Sequence, residues 1–182
     1  VRVITPGLVV DPDNLEAKEN NFLAGIAVRG EGFGLAFLDI STGEFRVTEV
    51  ADRNFFIDEV IRHGFREIVL EENLKDAVLE RVLTRELADC VINRFPRDWF
   101  DHAAALGILG EHFCAEAIAK LEPGRHAAMI AAAGAVLRYV RETQKERPGH
   151  INDITRYHTE NFLILDDTAK RNLELFATTQ GG

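Results

Sequence analysis

Cysteine is scarce in this 182-residue chain, which holds 2 Cys, 1 Met and 1 Trp. Cys90 and Cys114 cannot form a disulfide framework or a four-cysteine zinc site, so a reducing, cytoplasmic setting is expected. Long hydrophobic runs are missing as well. The longest, from Ala127 to Leu137, falls far short of the about 20 apolar residues that cross a bilayer. No basic segment followed by an apolar one opens the chain as a secretory signal would. Positive charge is deficient in the first two thirds: residues 1–122 carry 13 Lys and Arg against 23 Asp and Glu, whereas residues 123–182 carry 8 against 7. Nucleic-acid affinity rests mainly on cations that neutralise phosphates, so the acidic part is not expected to grip DNA or RNA over a broad surface. No G-x-x-x-x-G-K-[ST] loop occurs to cradle a nucleotide's phosphates.

What is present reads as an α/β domain. Phe22 to Val28 and Phe33 to Ile40 are rich in apolar and β-branched residues, and Gly30-Glu31-Gly32 between them supplies a hairpin turn. Ser41-Thr42-Gly43 leads into Glu44 to Val50, whose alternation predicts a half-exposed edge strand. Asp52 is suited to cap a helix over 53–63 and Gly64 to end it. A strand at Glu67 to Leu70, a helix near Lys75 to Glu86 and a strand at Cys90 to Arg94 complete a β-β-β-α-β-α-β order. From Asp98 onward the pattern is helical. The longest helix, Ala127 to Gln144, follows a Pro123-Gly124 break, and an extended crossing covers Ile151 to Leu165. Charge balance and period both shift near Glu122 to Arg125, and a domain boundary is expected there: an α/β domain over 1–122, and an all-α segment of a second domain over 123–182.

The ends suggest an excised segment. Val1 to Thr5 reads as a strand stopped by Pro6-Gly7, and a helix capped by Asp166 runs through Thr168 to Phe176 before Gly181-Gly182. Its apolar face, Ala169, Leu173 and Phe176, is expected to fray or to seek cover on a second copy.

Few residues suggest chemistry. Gly30-Glu31-Gly32-Phe33-Gly34 leads into a strand, not the helix that a dinucleotide loop requires. A β-β-β-α-β order invites a ribonuclease H-like nuclease, which gathers carboxylates around two metal ions about 4 Å apart, and Asp39, Glu44 and Glu71 are the candidates. The first strand, however, lacks a central acid, and Asp39 is placed for an Asx hydrogen bond within its own turn. His102, His112 and Cys114 lack zinc-ligand spacing, and Cys114 is expected to pack as a small apolar residue. His150 and His158 have no partner suited to general-base work. The twelve Phe fall on apolar faces as core residues do. Arg138, Arg141, Lys145 and Arg147 make one cationic stripe, read as a solvated helix face.

Four blocks in order carry a resemblance: Val1 to Gly7, Phe33-Gly34-Leu35-Ala36-Phe37-Leu38-Asp39-Ile40-Ser41-Thr42-Gly43-Glu44-Phe45, Leu137 to Gln144, and Leu165-Asp166-Asp167-Thr168-Ala169-Lys170-Arg171-Asn172-Leu173-Glu174-Leu175. Together they resemble the bacterial MutS family of DNA mismatch repair proteins. The resemblance implies a ribonuclease H-like connector domain without nuclease activity, preceded by the end of the mismatch-binding domain and followed by the start of the core or lever domain. Its implied partners are the parent's other domains, a MutL-type protein and, through domains missing here, mismatched DNA. It further implies a homodimeric parent whose ATP and Mg sites lie outside this segment. No catalytic, cofactor-binding or metal residue is assigned within the segment. Gly107 and Gly110 depart from the usual family texture and should weaken their helix by about 1 kcal/mol each relative to Ala.

Overall fold

A computed structural model describes residues 22–74, 76–143 and 149–158. The strand expected at Val1 to Thr5 and the helix expected from Asp166 lie outside the described residues. Three antiparallel strands open the body: β1 (Phe22–Arg29), β2 (Gly32–Asp39) and β3 (Glu44–Val50). Gly30, with φ of 59°, makes the first turn in the left-handed region that glycine enters without steric cost. α1 (Arg53–His63) starts at Asp52, whose carboxylate accepts from the amides of Asn54 and Phe55, and ends at left-handed Gly64. β4 (Glu67–Glu71) then pairs parallel with β1, and after α2 (Ala77–Arg85), β5 (Val91–Phe95) pairs parallel with β4. A single 3-10 turn (Arg97–Phe100) leads to α3 (His102–His112), α4 (Ala115–Lys120) and α5 (Ala127–Thr143). β6 (Ile154–Arg156) returns to pair parallel with β3, giving the order β5-β4-β1-β2-β3-β6.

Alternation along the strands assigns the faces. Ala24, Ile26, Leu35, Phe37, Ile68 and Leu70 meet α1 and α2 on one side. Leu23, Ala27, Ala36, Leu38, Phe45 and Val47 meet α3, α4 and α5 on the other. On that second side the helix backbone comes down onto the sheet. A Cβ at Gly34 would stand 2.2 Å from the carbonyl carbon of Ala128, and one at Gly25 would stand 2.7 Å from the carbonyl oxygen of Ala132. α3 covers the far side of α5, where Gly134 admits Ala105.

Two expectations need correction. Packing does not break at Glu122 to Arg125, because α5 lies in the same core as β1 and β2, and β6 belongs to the same sheet. The shift in composition comes from burial: from Ala128 through Leu137 every residue of α5 is buried, so charge disappears without any change of domain. Nor is β3 an edge, since β6 covers it. No described helix is long and apolar enough to cross a membrane.

Candidate functional site

Open α/β sheets bind their ligands beyond the carboxyl ends of the parallel strands, where helix N-termini also gather. In this fold that end holds Arg29, Val50, Glu71 and Phe95, together with the starts of α1, α2 and α5. Each helix start is closed by a carboxylate of the chain itself. Asp52 Oδ1 accepts from the Asn54 amide at 2.7 Å. Asp76 Oδ1 accepts from Val78 and Leu79, both at 3.0 Å, while its Oδ2 pairs with Arg53. Glu49 reaches from β3 to accept from the Met129 amide at 2.8 Å. These anionic caps already occupy the positive ends of the helix dipoles, where an incoming phosphate would have to bind.

The proposed nuclease carboxylates do not converge. Asp39 stands opposite Phe22 at the start of β1, and Glu71 follows Leu70, the register partner of Ile26 near its end. At about 3.3 Å per residue that separates them by roughly 16 Å, against the about 4 Å between the metals of a two-metal centre. Asp39 Oδ1 accepts from the Ser41 amide at 2.8 Å and its hydroxyl at 2.6 Å, the turn-stabilising role expected for it. Glu44, the register partner of Asp39, pairs with Arg46. Glu71 accepts from Arg29 Nη1 at 3.0 Å, and Arg29 Nη2 donates to the Phe100 carbonyl at 2.9 Å. Arg29 thus ties β1 to β4 and to the 3-10 turn. Among the described residues, no group of three or more His, Cys, Asp or Glu could hold a metal ion.

The remaining candidates are dispersed. His112 Nε2 donates to the Ile151 carbonyl at 2.8 Å, and His150 Nε2 donates to the Ile40 carbonyl. His158 is exposed. Cys114 is exposed at the start of α4 and does not pack as a small apolar residue: α4 turns it outward, against expectation. Burial, reinforced by the Glu67 charge, pushes the Cys90 thiol up to about 12, which suppresses its thiolate. Arg138 lies over the Trp99 ring at 4.3 Å and pairs with Glu142, while Arg141 pairs with Glu111. Those two cations are neutralised within the fold, and Lys145 and Arg147 lie outside the described residues. An open depression of about 340 Å³ is lined by Gly43, Glu44, Phe45, Arg46, Asp153, Thr155 and Tyr157.

Two buried carboxylates escaped the sequence reading. Glu67, fully buried, accepts from the Tyr139 hydroxyl and from Asn93 Nδ2, each at 2.6 Å. Glu59 accepts from Arg62 and from the Tyr157 hydroxyl at 2.8 Å, with His63 Nε2 3.0 Å away. Burial by itself would raise the Glu59 pKa; hydrogen bonds from His63, Tyr157 and Arg62, with the Arg62 charge, outweigh it and hold the carboxyl below its usual range. The available signal was position: Glu59 sits beside Phe56 and Val60 on the apolar face of α1, and Glu67 directly precedes the apolar run Ile68 to Leu70 of β4.

A mixed sheet that opens with a three-stranded meander, carries helices on both faces and lacks an acid in the middle of β1 defines a ribonuclease H-like domain without the acidic centre of that fold's nucleases. The family described as MutS domain II matches residues 21–152. The DNA mismatch repair protein MutS of Desulfatibacillum aliphaticivorans is 34% identical over 182 residues, which is 100% of this chain and 20% of that protein. Its counterpart from Syntrophobacter fumaroxidans is 36% identical over 177 residues, covering 96% of this chain and 20% of the relative, and that of Symbiobacterium thermophilum is 36% identical over 186, covering 100% and 21%. The chain belongs to the MutS family and contains its domain II, the connector, which is not the ATPase domain. It spans about one fifth of the length of these curated relatives.

Proposed function

We propose that this domain is the mechanical connector of a MutS-type mismatch repair protein, joining mismatch recognition to the lever helices and ATPase, and that its surface docks a MutL-type partner. On this reading residues 1–20 close the mismatch-binding domain, and the Leu165 to Leu175 block opens the lever. The parent is a cytoplasmic homodimer that binds mismatched DNA, ATP and Mg through its other domains. The observation that carries the reading is the family match over 21–152 on a sheet whose ligand-binding end is closed by Asp52, Asp76, Glu49 and the Arg29–Glu71 pair. A domain whose charges at that end are engaged within the fold is suited to transmit position between neighbours, since relays need rigid packed elements.

A chimera tests this. Residues 22–158 would replace the corresponding part of the Desulfatibacillum aliphaticivorans protein, with mismatch-stimulated ATP turnover and recruitment of a purified MutL-type protein as readouts. Retention of both is expected. Turnover that no longer responds to a mismatch, in a chimera that still binds ATP and mismatched duplex, would refute the linking role, and loss of recruitment alone would refute the docking role.

A further inference from the structure

The last described segment is held in a way that its length does not predict. β6 has three residues paired with β3, extended by a bond from the Tyr157 amide to the Val47 carbonyl at 3.0 Å. By contrast, β1 and β2 pair over eight positions. Successive residues of an extended chain point to opposite faces, and here both faces are used. Arg156 Nη1 donates to Glu122 Oε2 at 2.8 Å, at the joint between α4 and α5. On the other face the Tyr157 hydroxyl donates to Glu59 on α1 at 2.8 Å. Glu122 has a φ of 48°, the only positive φ at a non-glycine among the described residues, and its carboxylate also faces Arg125 and His126. Left-handed backbone at a residue with a side chain is strained and persists only where surrounding contacts hold it. Upstream, His150 and His112 donate to the carbonyls of Ile40 and Ile151, and Ile151 and Ile154 are the buried apolar residues of the segment. The outward amide of Ile154 is taken by its neighbour Asp153, which blunts the edge against a further strand.

We propose that residues 149–158 form a latch, clamped by Arg156–Glu122 on one face of the sheet and Tyr157–Glu59 on the other, that opens as a unit while β1 to β5 stay folded. A three-residue ladder at the edge of the sheet, with two buried isoleucines behind it, has few bonds to lose on opening, so its opening free energy is expected to lie below that of global unfolding. Both clamps rest on side chains of consecutive residues, so displacement of the chain after residue 158 reaches α1 and the α4–α5 joint together. The latch is a property of this chain and holds whether or not the connector reading does; only what the displacement signals in a longer protein rests on that reading.

Native-state hydrogen exchange on the full 182-residue chain, at low denaturant, tests it in the parent sequence, Tyr157→Phe, Arg156→Gln and the double variant. The Tyr157 amide is expected to exchange by an opening with weaker denaturant dependence than amides of β1 and β4. Tyr157→Phe should raise that opening about tenfold, as expected for loss of a hydrogen bond to a buried carboxylate, and Arg156→Gln by about two- to fivefold, because the Arg156–Glu122 pair is exposed to solvent, with β1 and β4 unchanged. Glu122→Gly, which removes both the strain and the Arg156 partner, should likewise free β6 without lowering protection in β1. Exchange of the Tyr157 amide only through global unfolding, a uniform loss of protection in the variants, or no acceleration in either single variant would overturn the latch.

Discussion

The two faces of the sheet are built on opposite packing solutions. Against α1 and α2 the spacing is set by large rings: Phe33 and Phe56 lie 5.3 Å apart, and Phe37 touches both Phe65 and His63. Against α5 it is set by the near absence of side chains, with Gly25 and Gly34 on the strands facing Ala128 and Ala132 on the helix. Both faces exclude water equally well, since Phe56 and Val136 are alike buried. They differ in how they fail: the aromatic face is vulnerable to lost volume and the alanine face to added volume.

The largest effect should follow from deleting volume on the aromatic face. Phe56→Ala is expected to destabilise by about 3–5 kcal/mol in denaturant unfolding. Adding one methyl on the other face, as Gly34→Ala, should cost about 1–3 kcal/mol, because the new Cβ meets helix backbone that cannot rotate away. The single tryptophan separates the two. Trp99 stacks on Phe95 at 3.8 Å and under Arg138 of α5, so its fluorescence should shift in Gly34→Ala and stay native in folded Phe56→Ala. Equal shifts would show that the faces are not independent.

Acid sharpens the contrast, because the aromatic face contains Glu59 and the charge network around it. Its carboxyl is held more acidic in the fold than its ordinary value of 4.5. The stabilisation is therefore fully present above that value and is lost as pH falls through the lower folded value. Unfolding midpoints measured across that window should drop, and the drop should shrink in Glu59→Gln; an unchanged slope would remove Glu59 as its source. The smallest effect is expected where glycine does no packing. A methyl group added at Gly107 or Gly110 in α3 would meet nothing within 4 Å, so Gly107→Ala and Gly110→Ala should each stabilise by about 0.4–1 kcal/mol in thermal unfolding, opposite in sign to Gly34→Ala.

Glycines show how far the sequence can be read. Gly30 and Gly64 were legible as turn and cap residues because their role depends on neighbours a few positions away, whereas Gly43 was legible only as a turn, without the His150 backbone that packs against it. Gly25 and Gly34 were not, because the reason for them is a helix about one hundred residues downstream. The candidate site divides in the same manner. Asp39 announced its Asx turn and the β1 run announced its missing acid, while the Arg29–Glu71 tie and the Glu49 cap on α5 join residues 42 and 80 positions apart.

Alternation, caps and turn residues thus determined the β-meander, α1, α2 and the parallel strands β4 and β5, since each rests on interactions within a turn or a strand. Only the tertiary structure decided that α5 belongs to this domain, that β6 closes the sheet beyond β3, and that Glu59 and Glu67 remain inside. The physical reason is common to all three. A helix buried on nearly every side loses the polar face that marks its orientation, a three-residue strand carries too few residues to show a period, and a buried carboxylate is stable only where distant donors converge on it.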